Sequence, residues 1–259
     1  MARIVPKWRC VTLDATGTLF RPRGGIGARY LRAWERVSGA ELAPEVRAAA
    51  ERGVEAAFPS VFNRLSTSQP NFGVAPGTVG AQTAAPWWRE LVLDILNSSA
   101  VLPAPVPREL EEQLTSELYA EFATPDAWHV YDDVRPALDH LKAQGVVLGV
   151  ISNFDERLPA LLRGLELDHY FQVVTSSFEH GCAKPAASIF ETTFEQLGAG
   201  GDLSECLHAG DHRVKDYDGA RAAGVHAQLL VRHPERGVPQ DVDQKDVICT
   251  LASLAFDTK

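Results

Sequence analysis

Four short polar stretches carry the residue types from which a catalytic site could be assembled. They are Asp14 in "LDATGTLF", Ser152 and Asn153 in "ISN", Lys184 in "CAKP", and Asp211 with Asp216 in "GDHRVKD". Taken singly each has an ordinary explanation, since an aspartate after a strand is commonly a helix cap and a Lys-Pro pair is commonly surface. Their joint order says more, because polar groups at neighbouring strand ends converge on one crevice. Carboxylates, a hydroxyl and an ammonium gathered there suit phosphoryl transfer, where position and charge do most of the catalysis. Asp14 would attack phosphorus and form an aspartyl phosphate, splitting hydrolysis into two easier displacements. The Ser152 hydroxyl and the backbone N–H groups near Asn153 and Ala15 would hold phosphate oxygens, while Lys184 offsets negative charge. Mg2+ prefers hard oxygen ligands and keeps some waters, so Asp14, Asp211 and one backbone carbonyl would hold it. Asp216 would complete that metal centre by orienting metal-bound water or Lys184 from behind, and Asp218 falls on a helix surface.

Positioning these groups requires strands that end at them. Apolar, β-rich runs occur at 9–14, 145–153, 171–176, 206–211 and 226–231, the pattern of fully buried parallel strands. Between them "RPALDHLKAQ", "RLPALLRGLEL", "ASIFETTFEQLG" and "DYDGARAAG" repeat apolar residues at helical spacing. A βαβ series with right-handed crossovers gives an α/β, doubly wound parallel sheet. The alternation breaks after the first strand, where "IGARYLRAWERVSG", "APEVRAAAERGVEAAF", "PWWRELVLDILNSS" and "PRELEEQLTSELYAEF" read as helices. The expected organisation is a core of 1–21 with 127–259 and a helical insertion of 22–126, hinged at "RPRGG" and "ATPDAW". Inside the insertion "LSTSQPNFGVAPGTVGAQTAAP" has no periodicity and is long for a loop. Of the adjacent Trp87 and Trp88, one is expected to anchor the helical core.

"DATGT", "ISN", "AKP" and "GDHRVKD", in this order, resemble the four motifs of the haloacid dehalogenase-like (HAD) hydrolase superfamily. The insertion resembles that superfamily's type 1 cap. "PNFG" followed by "WWRELV", with "ISNFDERL", is similar to the branch containing haloacid dehalogenase-like hydrolase domain-containing protein 3 and its plant relatives. The resemblance implies a Rossmann-like core, Mg2+ as cofactor, a small phosphorylated metabolite as substrate, and the Thr16 carbonyl as the backbone ligand. One departure stands out. Phosphatases of the superfamily usually carry a second Asp two residues after the nucleophile, as the proton donor and later the base, and here that residue is Thr16. General acid–base catalysis is worth about 10²–10⁴-fold, so a slow or selective phosphatase is implied. The P-type cation pumps share Thr at this place and still form an aspartyl phosphate. The rival reading is a phosphate- or metal-binding pseudo-phosphatase without useful turnover. Dehalogenases of the superfamily carry Tyr at the position of Thr16 and lack the Asp at 211, so dehalogenation fits poorly. "RGGIGARY" is not the G-x-G-x-x-G of a dinucleotide site.

Bulk properties are those of an ordinary globular protein of 259 residues, 45% hydrophobic and 23% charged. A net charge of -9 argues against nucleic acid and anionic membranes as partners. Cys10, Cys182, Cys206 and Cys249 form no C-x-x-C pair and read as buried small residues in a reducing compartment. No apolar run spans a bilayer and the first ten residues lack a signal-peptide core, so a cytoplasmic location is expected. The eight histidines show no metal-ligand spacing. His212 stands beside a site residue and reads as an exposed loop histidine; Arg21 and Arg23 at the hinge read as solvated, or as guides for phosphate.

Overall fold

The computed structural model describes residues 7–74, 83–98, 101–102 and 104–255. It separates into two compact units, Met1–Arg21 with Val130–Lys259, and Pro22–His129. The first unit begins with β1 (Cys10–Leu13), all four of whose residues are buried. Its continuation leads into β2 (Phe20–Pro22), where the chain leaves for the second unit.

That second unit is built from four helices, α1 (Ile26–Ser38), α2 (Pro44–Ser68), α3 (Ala85–Leu96) and α4 (Arg108–Glu121). Each turns an apolar stripe inward: Tyr30 and Leu31, Val54 and Leu65, Leu91 and Ile95, Leu114 and Leu118 are all at most 2% exposed. Trp87, 3% exposed, sits among Phe62, Phe72 and Trp88 with ring centroids 5.2–5.4 Å away, and its indole N–H donates to the Gln69 carbonyl. α2 runs ten residues past the expected end at Phe58, straight through Pro59. Proline removes one helical hydrogen bond, and the burial of Leu65 beyond it keeps the helix on its path. The aperiodic stretch is correspondingly shorter, because Leu65–Ser68 are helical and α3 already contains Ala85 and Pro86; its residues 75–82 lie outside the described residues. Both ends of the insertion are tied within this unit by Arg29, which donates to the Arg23 carbonyl, the Asp126 carbonyl and Glu121 at 3.1, 2.8 and 2.6 Å.

The chain returns through β3 (Trp128–Val130), which pairs with β2. The expected core boundary at 127 thus moves to 130, since Ala127 and Trp128 bond back to Arg23. Alternation then resumes with α5 (Val134–Ala143), β4 (Val147–Ser152), α6 (Leu158–Gly164), β5 (Val173–Ser176), α7 (Ser177–His180), α8 (Ala187–Gln196), β6 (Cys206–Gly210), α9 (Gly219–Ala222) and β7 (His226–Leu230). A short β8 (Val247–Ile248) and α10 (Ala252–Ala255) close the described chain. All strands of the main sheet are parallel, in the order β5-β4-β1-β6-β7-β8. The chain leaves β1 for one half of the sheet and later returns to build the other half. The carboxyl ends of β4, β1 and β6 therefore flank a switch point, where such sheets place their sites.

Three sequence expectations change here. "DYDGARAAG" is not one helix: a wide helical turn at Arg213–Asp218 precedes the four residues of α9. Of the four cysteines, Cys10 and Cys206 are buried, whereas Cys182 is half-buried and Cys249 exposed. β8 was not foreseen, because two residues give no periodicity. Among the described residues, no helix is long and apolar enough to cross a membrane.

Candidate active site

The residue after β1 is Asp14, whose N–H still bonds the Ala209 carbonyl of β6 at 3.0 Å, so the ladder carries it to the sheet edge. Ser152 is the last residue of β4, 2% exposed, and its hydroxyl makes no hydrogen bond among the described residues. Asp211 follows β6 directly, and Lys184 reaches in from the segment after β5. The lysine ammonium lies 2.7 Å from Asp14 Oδ1, 2.7 Å from Asp216 Oδ1 and 2.5 Å from the Ile151 carbonyl. Asp14, Lys184, Asp211 and Asp216 thus meet in one place, within the first unit.

Their supports explain the precision. The Asn153 side chain brackets the Lys184 main chain, accepting from its N–H at 2.8 Å and donating to its carbonyl at 2.9 Å. Only the backbone of Asn153 therefore remains for a phosphate. The Ala15 carbonyl accepts from Thr18, Leu19 and Phe20, which curls the chain into a tight turn and leaves the Ala15 N–H as its contribution to the site. Thr16 is exposed at this turn. Gly17 follows at φ +87°, and a Cβ there would lie 2.3 Å from Asp211 Oδ2, so the turn and Asp211 approach as closely as they do only because of this glycine. Gly210 makes the same allowance for Asp216, whose Cγ would be 2.3 Å from an added Cβ.

Asp216 is engaged through both oxygens. Oδ1 meets Lys184 and His208 Nε2, the latter at 3.2 Å, and Oδ2 accepts the His212 N–H at 2.9 Å. Asp216 is thus bonded to Lys184, His208 and the main chain after Asp211. His208 is fully buried, and its Nδ1 lies 2.9 Å from the Thr12 hydroxyl. Spacing had singled out His212 alone; His208 was missed, although it shares a strand face with Gly210, and a histidine inside the apolar run "CLHAG" was the signal. His212 uses Nδ1 to accept the N–H groups of Val214 and Lys215, each at 3.2 Å. Arg23 is exposed, in keeping with a solvated residue, and its guanidinium donates to the Trp128 carbonyl. Arg21 lies over the Tyr131 ring, 5.8 Å from the centroid. Asp218 pairs with Arg213 at 2.5 Å.

Charge is unbalanced in this cluster. Oxygens of Asp14, Asp211 and Asp216 lie within 4.8 Å of one another around one ammonium. Burial pushes the Asp14 carboxyl up, against the pull of Lys184, with Asp216 adding to the rise. Asp211 is likewise raised to about 7 by burial and by Asp14 and Asp216. Asp216 moves the other way, because Lys184 and His208 outweigh its own burial. Burial works against the Lys184 charge, and the two carboxylates that touch it overcome that and raise its pKa. Three carboxylates crowd one ammonium, the raised Asp14 and Asp211 show that their negative charge is not balanced by it, and with hard oxygen donors the set fits a small divalent cation such as Mg2+.

A parallel core of this topology, interrupted after its first strand by a helical unit and carrying its charged groups at the carboxyl edge, defines a class: Rossmann-like hydrolases with an inserted domain. More narrowly, residues 8–224 match the model of the haloacid dehalogenase-like hydrolases, and the chain belongs to that family. It is 32% identical over 253 residues to haloacid dehalogenase-like hydrolase domain-containing protein 3 of Danio rerio, covering 97% of this chain and 96% of the relative. The Homo sapiens protein of the same name is 34% identical over 248 residues, with 95% and 92% covered. Rhythmically expressed gene 2 protein of Drosophila melanogaster is 30% identical over 240 residues, with 88% and 85% covered. Two solved structures share the fold. 2-Haloacid dehalogenase from Pseudomonas syringae has a TM-score of 0.62 at 23% identity, over 95% of this chain and 96% of that one. The HAD hydrolase YfnB from Bacillus subtilis, solved with bound magnesium, has a TM-score of 0.66 at 17% identity over the same shares.

Proposed function

We propose that the protein is a Mg2+-dependent phosphatase that acts on a small phosphorylated metabolite through an aspartyl phosphate on Asp14. The observation that carries this reading is the Lys184 ammonium, 2.7 Å from Asp14 Oδ1 and braced by Asp216 and the Ile151 carbonyl. A buried cation held there favours the ionised, nucleophilic form of Asp14 against its burial and faces the charge that develops on a transferring phosphoryl group. An Asp14 oxygen forms the new bond to phosphorus while the bond to the leaving oxygen breaks. Water then attacks phosphorus, the bond to Asp14 breaks and the carboxylate is restored. Ser152 Oγ and the Ala15 and Asn153 N–H groups would bind the phosphoryl oxygens. Mg2+ would be held by Asp14, Asp211 and the Thr16 carbonyl, where it would neutralise the excess negative charge.

Thr16 determines the rate. Its hydroxyl neither supplies a proton near pH 7 nor removes one, so the leaving group takes its proton from water, from the substrate itself or from the helical insertion. Phosphates with leaving groups of low pKa, such as acyl phosphates or pyrophosphates, depend least on a donor and would be the better substrates. Thr16 also keeps a second reading alive, that of a phosphate- or metal-binding protein.

The test is a phosphometabolite panel with and without Mg2+ on wild type, Asp14→Asn and Thr16→Asp. Phosphate release should require Mg2+ and vanish in Asp14→Asn; release that survives this change defeats the nucleophile assignment. Where proton transfer limits the rate, Thr16→Asp should raise kcat by about 10²-fold or more on alkyl phosphates. Silence across the panel in both wild type and Thr16→Asp would favour the binding protein.

A further inference from the structure

Outside the four motifs, one arginine is built into the loop that carries Thr16. Arg232 lies just beyond β7, its side chain 11% exposed. Nε donates to the Gly17 carbonyl at 3.2 Å and Nη2 to the Thr18 carbonyl at 2.5 Å. Nη1 bonds both oxygens of Asp133 at 3.0 and 3.1 Å. The guanidinium lies over the Tyr131 ring, 3.7 Å from its centroid, and the Tyr131 N–H itself donates to the Leu19 carbonyl of the same loop. Asp133 is held in turn by the Thr250 hydroxyl at 2.7 Å and the Leu251 N–H at 2.8 Å.

The loop has one free joint and one carbonyl with a job to do. The joint is Gly17, at φ +87°, where the absent Cβ leaves the backbone its widest freedom. The Gly17 N–H donates to the Phe20 carbonyl at 2.8 Å. In a trans peptide the C=O points opposite to the N–H, so this bond aims the Thr16 carbonyl away from Phe20. The next two carbonyls, of Gly17 and Thr18, are the ones that Arg232 takes. Both peptides that follow Thr16 are thereby fixed, and the Thr16 carbonyl cannot turn without breaking a bond to a planar, pre-organised fork.

We propose that Arg232 is a positioning residue, which with Asp133 presets the Thr16 carbonyl as a ligand for the divalent cation of the Asp14 and Asp211 site; this rests on the metal reading given above. Lysine could not replace it, because one point donor cannot span two carbonyls and a carboxylate while stacking on a ring.

Two measurements on the full-length protein test it: Mg2+ affinity by calorimetry, and amide exchange of Gly17–Phe20 in metal-free protein. Wild type, Arg232→Lys, Arg232→Ala and Asp211→Asn are compared, with thermal unfolding as the check on folding. Both Arg232 variants should bind Mg2+ about 10- to 100-fold more weakly, the range seen when supports of metal ligands are removed, and the turn amides should exchange faster. Millimolar guanidinium should restore part of the affinity to Arg232→Ala and none to Asp211→Asn. Faster exchange with unchanged Mg2+ affinity would overturn the positioning role and leave a structural one; unchanged exchange would overturn the anchor altogether. A wild type that takes up no Mg2+ overturns the metal reading instead, and exchange alone then decides whether Arg232 holds the turn.

Discussion

Replacing Gly17 by alanine separates two costs that usually arrive together. The position has φ +87°, and an added Cβ would lie 2.3 Å from Asp211 Oδ2, 2.7 Å from its Cγ and 2.9 Å from its Oδ1. Backbone strain at such a φ is roughly 1–2 kcal/mol for a residue with a Cβ. Gly145 provides the control, since it has φ +82° and nothing within 4 Å of an added Cβ. Both alanine variants should therefore lose about 1–2 kcal/mol in urea unfolding. The clash is relieved differently, because the obstacle is the end of a short side chain whose contact with the Thr18 hydroxyl is a long 3.5 Å. Asp211 can swing away at little cost to folding, but reaching ordinary contact requires a shift of about 1 Å, and a misplacement of that size can cost about 10²-fold in a catalytic step. Gly17→Ala should accordingly weaken Mg2+ binding and kcat by about 10- to 100-fold, while Gly145→Ala leaves both within about twofold. Calorimetric Mg2+ titration beside urea unfolding measures the two terms independently. Equal Mg2+ affinity in the two variants would refute the reasoning, because moving Asp211 would then leave Mg2+ binding undisturbed.

Lys184→Met removes the only ammonium that touches Asp14 and Asp216 among the described residues. Breaking a buried pair from one side costs about 3–5 kcal/mol, and Mg2+ should recover part of it, visible as a larger Mg2+-induced rise in Tm than in wild type. Asp133→Asn tests a carboxyl that burial would raise but that Thr250, Leu251 and Arg232 hold below its ordinary 3.8. A depressed folded pKa contributes stability above the unfolded value and loses it as pH falls through the folded one. The variant should thus be less stable by about 2 kcal/mol at pH 7, and the gap to wild type should close below pH 3.8. Trp87→Ala empties the centre of the aromatic group in the helical unit and should cost about 3–5 kcal/mol in unfolding; a loss under 1 kcal/mol would mean that the indole is not packed as its 3% exposure implies.

The five principal strands and most of the helices could be read along the chain, because a strand buried on both faces leaves a continuous apolar run and a helix leaves a 3.6-residue stripe. β8 could not, being too short for any period, and neither could the passage of α2 through Pro59, where packing of Leu65 outweighs a local preference. Asp14, Ser152, Lys184 and Asp211 were legible for the same reason as the strands, since each ends or follows one. Thr16 was equally plain, and with it the loss of a proton shuttle, which is a matter of side-chain chemistry alone.

What supports these groups lay beyond the reach of spacing. His208 looked like one histidine among eight; the pairing of β1 with β6 brings it to Thr12, and the turn at Arg213–Asp218 brings Asp216 back onto it. Arg232 and Asp133 sit 99 positions apart, in segments whose composition announces nothing, and only the contact of Arg232 with the Gly17 turn, braced by Asp133, gives them a part. Asn153 was expected to act through its backbone, and that its side-chain amide braces Lys184 was not legible. Local sequence records which groups can attack, donate or bear charge, because those are properties of single residues and of strand ends. Which residues hold them still depends on contacts between segments far apart in the chain, and those exist only once the sheet has closed.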